Sequence, residues 1–264
     1  AEGDDYNLNG AINLPFVQDV FGVRFAALMR ENDGTGIRGL NAITGEIDDD
    51  IYSRTQAIRA SARATPFDDV LILDFNYERQ WREGRSYDQI ESLSEAVPGA
   101  GASPIFVSAD DRLGVGLLAD TFDQDMETYN WQAQLNLFGQ SLIYLGQDFD
   151  SFYDRRGTQD SAGVVTNPLF NNVPFAMLTG SGSTVNVHEI RLQNEDRVFG
   201  MFDYVVGYLN LEQTSPTLTT SQIARAVPSV AEGAPFVDLA LNLQIPVVRF
   251  REGTEESFFG NITA

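Results

Sequence analysis

The sequence has no cysteine, no lysine and a single histidine. Without thiols there is no disulfide framework, no thiolate zinc site and no cysteine nucleophile. One imidazole, His188, leaves little for acid–base or metal chemistry near neutral pH. All 17 basic residues are arginines, set against 38 Asp and Glu, for a formal net charge of -21. Such a chain offers no basic footprint for phosphates, which excludes nucleic acid as a partner. Arg forks pair bidentately with carboxylates, although a genomic bias towards Arg codons is the simpler account of the missing lysine. No run of 18 apolar residues is present, so no helix spans a bilayer. Barrel strands are short and half apolar, and this test does not touch them. The first residues, Ala1-Glu2-Gly3-Asp4-Asp5, are acidic and contain no apolar signal-peptide core.

What is present is alternation. In Ile58 to Ala64, Ile58, Ala60 and Ala62 point one way and Arg59, Ser61 and Arg63 the other. After a turn at Pro66, Asp68 and Asp69, the residues Leu71, Leu73, Phe75 and Tyr77 share a face opposite Asp74 and Asn76. Period two marks a strand with one apolar and one polar face, and Arg on one strand facing carboxylates on the next allows cross-strand pairing. The same design recurs. Tyr129, Trp131, Ala133, Leu135 and Leu137 oppose Asn130, Gln132, Gln134 and Asn136. Further runs cover Phe21–Glu31, Ser141–Tyr153, Val185–Gln193, Phe199–Leu211, Val237–Ile245 and Ser257–Ala264. Asn9-Gly10 reads as a turn, and the chain between Pro246 and Glu256 as a crossing. Strands near Ser53–Ala64 and Val70–Trp81 make the founding hairpin.

Short turns near Pro66, Gly139 and Asp196 alternate with long polar loops near 32–52, 82–127, 154–183 and 212–235. Connections that are short at one end and long at the other fit a transmembrane barrel. The runs approach the 9–11 residues that cross a bilayer at a tilt, longer than the usual soluble strand. Aromatics gather towards strand ends (Tyr77 and Trp81, Tyr129 and Trp131, Phe149 and Tyr153), as in an interfacial girdle. The expectation is an all-β fold, an antiparallel meander of long strands forming part of a large transmembrane β-barrel. A soluble β-sandwich whose core uses the same rings is the alternative.

Motifs with chemical meaning are few. Gly34-Thr35-Gly36-Ile37-Arg38-Gly39 matches G-x-G-x-x-G, but a dinucleotide site needs a helix N-terminus after the glycines, and Leu40-Asn41 and the run Asp48-Asp49-Asp50 follow instead. A flexible loop is expected. His188 has no partner motif, and no G-x-S-x-G elbow exists; it reads as a wall histidine facing lumen or interface. Asp120, Asp123 and Asp125, with Asp48 to Asp50, offer oxygens for Ca²⁺ without EF-hand spacing and read as solvated acidic loops. No spacing singles out a carboxylate pair for glycoside hydrolysis, and Asn261-Ile262-Thr263 is a glycosylation triplet by pattern only. No enzyme, cofactor, metal or catalytic residue is expected, and no ligand-binding residue can be named.

Several stretches resemble TonB-dependent outer-membrane receptors. They are Asn13-Leu14-Pro15-Phe16 followed by an Arg-bearing strand and Asp33-Gly34; Arg63-Ala64-Thr65-Pro66-Phe67-Asp68-Asp69-Val70; and Asp148-Phe149-Asp150-Ser151-Phe152. His188-Glu189-Ile190-Arg191-Leu192 before Phe202-Asp203-Tyr204-Val205-Val206-Gly207-Tyr208 resembles an E-x-R-L … G-x-Y hairpin, and Ser257-Phe258-Phe259-Gly260-Asn261 the strand that follows. The resemblance implies energised uptake of a scarce nutrient (a siderophore, cobalamin or glycan) in the bacterial outer membrane. Outer-membrane lipid, the TonB–ExbB–ExbD system acting through a plug, and a small nutrient are the partners it implies. Residues 1–264 would be an internal piece of such a barrel, without plug or closing strands. Eight or nine strands would then form an open curved sheet with two raw edges. A soluble ligand- or carbohydrate-binding β-sandwich remains the other reading.

Overall fold

In the computed structural model, residues 5–32, 36–41, 46–87, 109–116, 119–158, 175–223 and 243–263 are described. Thirteen strands follow one another among them. β1 (Tyr6–Val17) and β2 (Phe21–Asn32) form the first hairpin, and β3 (Arg38–Asn41) and β4 (Ile47–Asp48) are short. β5 (Tyr52–Ala64) leads through β6 (Pro66–Asp69) into β7 (Leu71–Ser86), followed by β8 (Leu113–Gly116). β9 (Asp120–Leu137) and β10 (Gln140–Thr158) form a long hairpin, as do β11 (Phe175–Asn194) and β12 (Asp203–Ile223); β13 (Leu243–Thr263) is last. The only helical turn among the described residues is a 3₁₀ turn at Ala109–Asp111.

Nine of these strands make one sheet in the order β1-β2-β5-β7-β9-β10-β11-β12-β13. Every neighbouring pair is antiparallel. The chain is thus all-β, an antiparallel meander of long strands. β4, β3 and β8 form a separate three-stranded sheet in which β3 pairs β8 in parallel. It lies on the connections at the long-loop end of the wall.

The tight turns follow from local chemistry. Leu137 and Gln140 are joined by Phe138 at φ 56° and Gly139 at φ 72°, both left-handed, the signature of a type I′ hairpin whose twist matches its strands. Phe199 (φ 56°) and Gly200 (φ 71°) repeat this at the tip of the β11–β12 connection, closed by a bridge between Val198 and Phe202. The Asn194 side chain ties that connection together, accepting from the Tyr204 amide at 2.5 Å and donating to the Asp196 carbonyl at 2.9 Å.

Several boundaries differ from the sequence reading. Asn9-Gly10 lies inside β1, where Asn9 and Gly10 pair with Leu28 and Ala27; the turn falls after Val17. Asn13-Leu14-Pro15-Phe16 likewise belongs to β1, and the register shift between Pro15 and Val17 accommodates a proline with no amide to donate. The stretch Pro246–Glu256 is no crossing, because β13 runs unbroken from Leu243 to Thr263. It is an edge strand, where proline is tolerated. The expected run Val237–Ile245 lies mostly outside the described residues, as does Pro98-Gly99-Ala100-Gly101. Residues read as loop at 154–158, 175–183 and 212–223 continue β10, β11 and β12. These extensions are rich in Ser, Thr and Gly, and only the inter-strand hydrogen bonds reveal them.

Candidate functional site

Paired residues across an antiparallel ladder point to the same side, so the registers sort the sheet into two faces. One carries Leu71, Leu73, Phe75 and Tyr77 of β7 with Leu135, Ala133, Trp131 and Tyr129 of β9. It continues through Leu142, Leu192 and Val206, and through Tyr144, Ile190, Tyr208 and Phe258. Nothing covers it. Leu73, Phe75, Leu135, Leu137, Leu142, Ile190 and Val206 are each more than a third exposed, and Phe258 is 86 % exposed. The buried apolar side chains among the described residues are Ile51, Ala119 and Ile143. A two-layer core is therefore absent from the described sheet.

The apolar band does not follow the hydrogen-bonded rows. The row through Glu31 runs Arg54, Glu83, Asp123, Asp154, Gly180, Leu218 and Val248. On β2 the first charged residue above the band is Glu31 itself. On β7 it is Arg79, on β9 Glu127, on β10 Asp148, and on β11 the first polar residue is His188. On β13 it is Glu256, eight residues nearer the short-turn end than Val248. Phe250 and Val248 return to that face well clear of the band. A slip of eight residues over seven strand steps is about 27 Å along the strands for about 34 Å across them. A flat band at right angles to an axis then requires strands tilted by about 40°, within the 35–45° of membrane barrels.

At the band's upper margin, rings meet charge. The Tyr77 and Tyr129 hydroxyls donate to Glu127 at 2.8 and 3.0 Å, their rings 5.0 Å apart. Arg79 forks onto Asp125 at 2.7 and 3.1 Å and lies over the Trp81 ring at 4.9 Å. Arg54 bridges Glu31 at 2.8 Å and Glu83 at 2.5 Å. Trp131 lies flat over Gly146, where a Cβ would stand 2.1 Å from the ring. His188 joins this margin: its Nδ1 is 2.9 Å from the Tyr144 hydroxyl, and the two rings are parallel.

The opposite face is mainly polar, although it also holds Ile143, Leu145, Phe149 and Tyr153 of β10, so Phe149 and Tyr153 lie off the aromatic margin where the sequence placed them. Gln132, Gln134 and Asn136 form a chain of amides, Gln132 donating to Gln134 at 3.3 Å and Gln134 to Asn136 at 2.9 Å. Ser141, fully buried, lies within hydrogen-bond distance of Asn136 (2.7 Å) and Glu195 (2.6 Å). Arg59 pairs with Glu78, its Nε donating at 3.0 Å. Arg63 stands 3.7 Å from Asp74 and Arg191 3.5 Å from Glu189. Amides, carboxylates and guanidinia in alternation can hydrogen-bond a hydrated solute without holding it tightly.

At the long-loop end, Arg85 clamps Asp48 with both guanidinium nitrogens, at 2.8 and 2.5 Å, and reaches the Asp50 carboxylate at 3.1 Å. The Tyr87 hydroxyl donates to Asp48 at 2.7 Å, and its ring covers Gly39. The Arg85 guanidinium holds the Asp48 carboxyl below the usual carboxylate range. Burial, reinforced by Asp48, pushes the Tyr87 phenol up to about 12. The clamp fixes the small sheet to the end of β7.

The remaining sequence motifs find their places. Gly34 and Thr35 of the G-x-G-x-x-G match lie outside the described residues; a strand, Arg38–Asn41, follows rather than a helix, so no dipole is aimed at a phosphate there. The stretch Asp120–Asp125 is not a loop but the start of β9. Its carboxylates are drawn apart along an extended strand, Asp120 bridging Arg155 at 2.9 Å and Asp125 bridging Arg79. Asp48 is spoken for by Arg85. Among the described residues no group of three or more His, Asp or Glu is placed to hold a metal ion. The Asp48 clamp itself escaped the sequence reading, because residues 37 positions apart meet only through the fold.

No protein-family model matches the chain, and no curated protein matches it. Among solved structures, the Ferric-Catecholate import receptor Fiu from K12 E. coli, in its closed form, aligns over 98 % of this chain with a TM-score of 0.47 and 12 % identity. The chain spans 46 % of that receptor's length.

Proposed function

We propose that residues 1–264 are part of the wall of an outer-membrane β-barrel receptor of the TonB-dependent kind, which takes up a scarce nutrient. The observation that carries this reading is the uncovered apolar face, which slips from strand to strand as a lipid-facing belt on tilted strands must. In water, a contiguous apolar surface of this extent is an aggregation hazard; in a bilayer it is the solvated side. The polar face then lines a hydrated lumen, and the long-loop end of the wall is the side where a nutrient first meets the protein. The siderophore, cobalamin or glycan class is inferred from the sequence motifs, as are the TonB–ExbB–ExbD partners and an energised plug.

Strand length supports the same arrangement. β10 to β13 have 19 to 21 residues, about twice the 9–11 that span a bilayer at a tilt, so their outer halves carry the wall well beyond it. Membrane fractionation tests the reading. The protein is expected in outer-membrane fractions, resistant to carbonate extraction, and its loss should abolish growth on the limiting nutrient. Recovery as a soluble monomer with a cooperative melt in plain buffer would support the β-sandwich instead.

A further inference from the structure

The short-turn end carries a row of exposed rings that neither the lumen nor the lipid belt uses. Phe138 is 97 % exposed, Phe199 86 %, Phe67 67 % and Phe16 63 %. Phe67, Phe138 and Phe199 each stand at a different connection, while Phe16 lies near the end of β1, stacked on Phe21 at 5.7 Å; successive connections are two strands apart, about 10 Å along the rim. Two of these rings occupy strained backbone. At left-handed φ, Asp and Asn are far better tolerated than bulky residues, and Asp19 (φ 59°) and Asp68 (φ 52°) take that role in the first two turns. The last two place Phe138 and Phe199 there instead. Strain kept at a fully exposed side chain points to a use for that side chain.

The charge beside the rings is one-sided. Asp19, Asp68, Glu195 and Asp196 lie in these turns, and the one guanidinium, Arg197, is bridged to Asp203 at 3.2 Å. Carboxylates in three of these connections, with Asp196 also lying against Gly139 of the other, disfavour seating in anionic lipid headgroups. They favour a cationic polypeptide, whose positive side chains would meet the acids while its apolar ones cover the rings. We propose that this rim is a docking surface for a basic, amphipathic protein segment on the short-turn side of the membrane. An α-helix repeats its apolar face every seven residues, about 10.5 Å, close to the spacing of the rings. The inference is independent of which nutrient the barrel carries.

A fluorescein-labelled synthetic 21-residue peptide with Lys and Leu at helical spacing, added to the protein in lipid nanodiscs and followed by anisotropy, tests it. Salt-sensitive binding is expected, weakened at least about tenfold in Phe67→Ser/Phe138→Asn/Phe199→Asn, because truncating buried aromatic anchors has that effect. Asn relieves the strain at both left-handed positions, so this variant should fold as well as the parent. A similar loss is expected in Asp19→Asn/Asp68→Asn/Asp196→Asn. No binding to the parent, or equal binding to the Phe variant, overturns the proposal. So does quenching of a Phe138→Trp fluorophore by brominated lipid, which would seat the rim in the bilayer.

Discussion

Ala133 and Gln134 are adjacent on β9 and differ in depth by about 3.4 Å, yet they face opposite ways. On β9 the apolar face runs Leu137, Leu135, Ala133, Trp131, Tyr129, which puts Ala133 in the middle of the belt, between Leu73 and Tyr144 on the neighbouring strands. Gln134 points to the polar face, donating to Asn136 and accepting from Gln132. If the belt faces hydrocarbon, Ala133→Arg places a cation near the bilayer midplane at a cost of about 2–4 kcal/mol. That lowers the folding equilibrium roughly 30- to 700-fold. Gln134→Arg meets water and amides and should cost less than about 1 kcal/mol. The assay is equilibrium urea unfolding of the protein in large lipid vesicles, followed by Trp fluorescence and by the mobility shift of folded barrels. In a soluble protein with an exposed Ala133 face, both variants would lie within about 0.5 kcal/mol of the parent. Equal costs for the two substitutions, or a larger cost for Gln134→Arg, would refute the assignment of the faces.

The slip of the belt predicts a second pattern. Ala27 and Thr184 lie in one hydrogen-bonded row, running through Ile58, Arg79, Glu127 and Asp150. Ala27→Arg should cost about 2 kcal/mol or more and Thr184→Arg close to nothing in the same vesicle assay, because only Ala27 lies within the belt. Gly146→Ala should lose about 1–3 kcal/mol, since the new methyl would force the Trp131 ring off its present seat, with a change in Trp emission as a second readout. Because Asp48 is depressed in the folded state, the Arg85 clamp contributes fully above the ordinary carboxylate pKa near 4 and fades as pH falls through the lowered value. Amide exchange in β3 and β4 should therefore accelerate below about pH 4 in the parent, and Asp48→Asn should exchange fast at neutral pH and lose that acid dependence.

Which parts of this molecule could be read in advance follows from the range over which each is encoded. Alternation along β7 and β9 is local, because the side-chain period of two is written directly into residues 71–77 and 129–137, and it fixed strand, face and the amphipathic character of the wall. Short turns at Pro66 and Gly139 were legible for the same reason, through proline, glycine and acidic residues that suit them; the one near Asp196 was read too short, because Phe199 to Phe202, expected in a strand, form its tip and β12 begins at Asp203. The strand limits of β1 and β13, and the outer halves of β10 to β12, were not. Their Ser, Gly and Pro carry weak strand preference, their Thr is β-prone but makes no apolar alternation, and only the ladder to a neighbour fixes them. Nor was the Arg85 clamp visible, since Asp48 and Tyr87 reach it from separate connections. Composition and periodicity alone therefore determined a long-stranded antiparallel sheet with one oily face. That the face stays uncovered, that its belt slips about one residue per strand, and that four turns align their rings at one rim were decided by inter-strand register, which exists only once the chain has paired with itself.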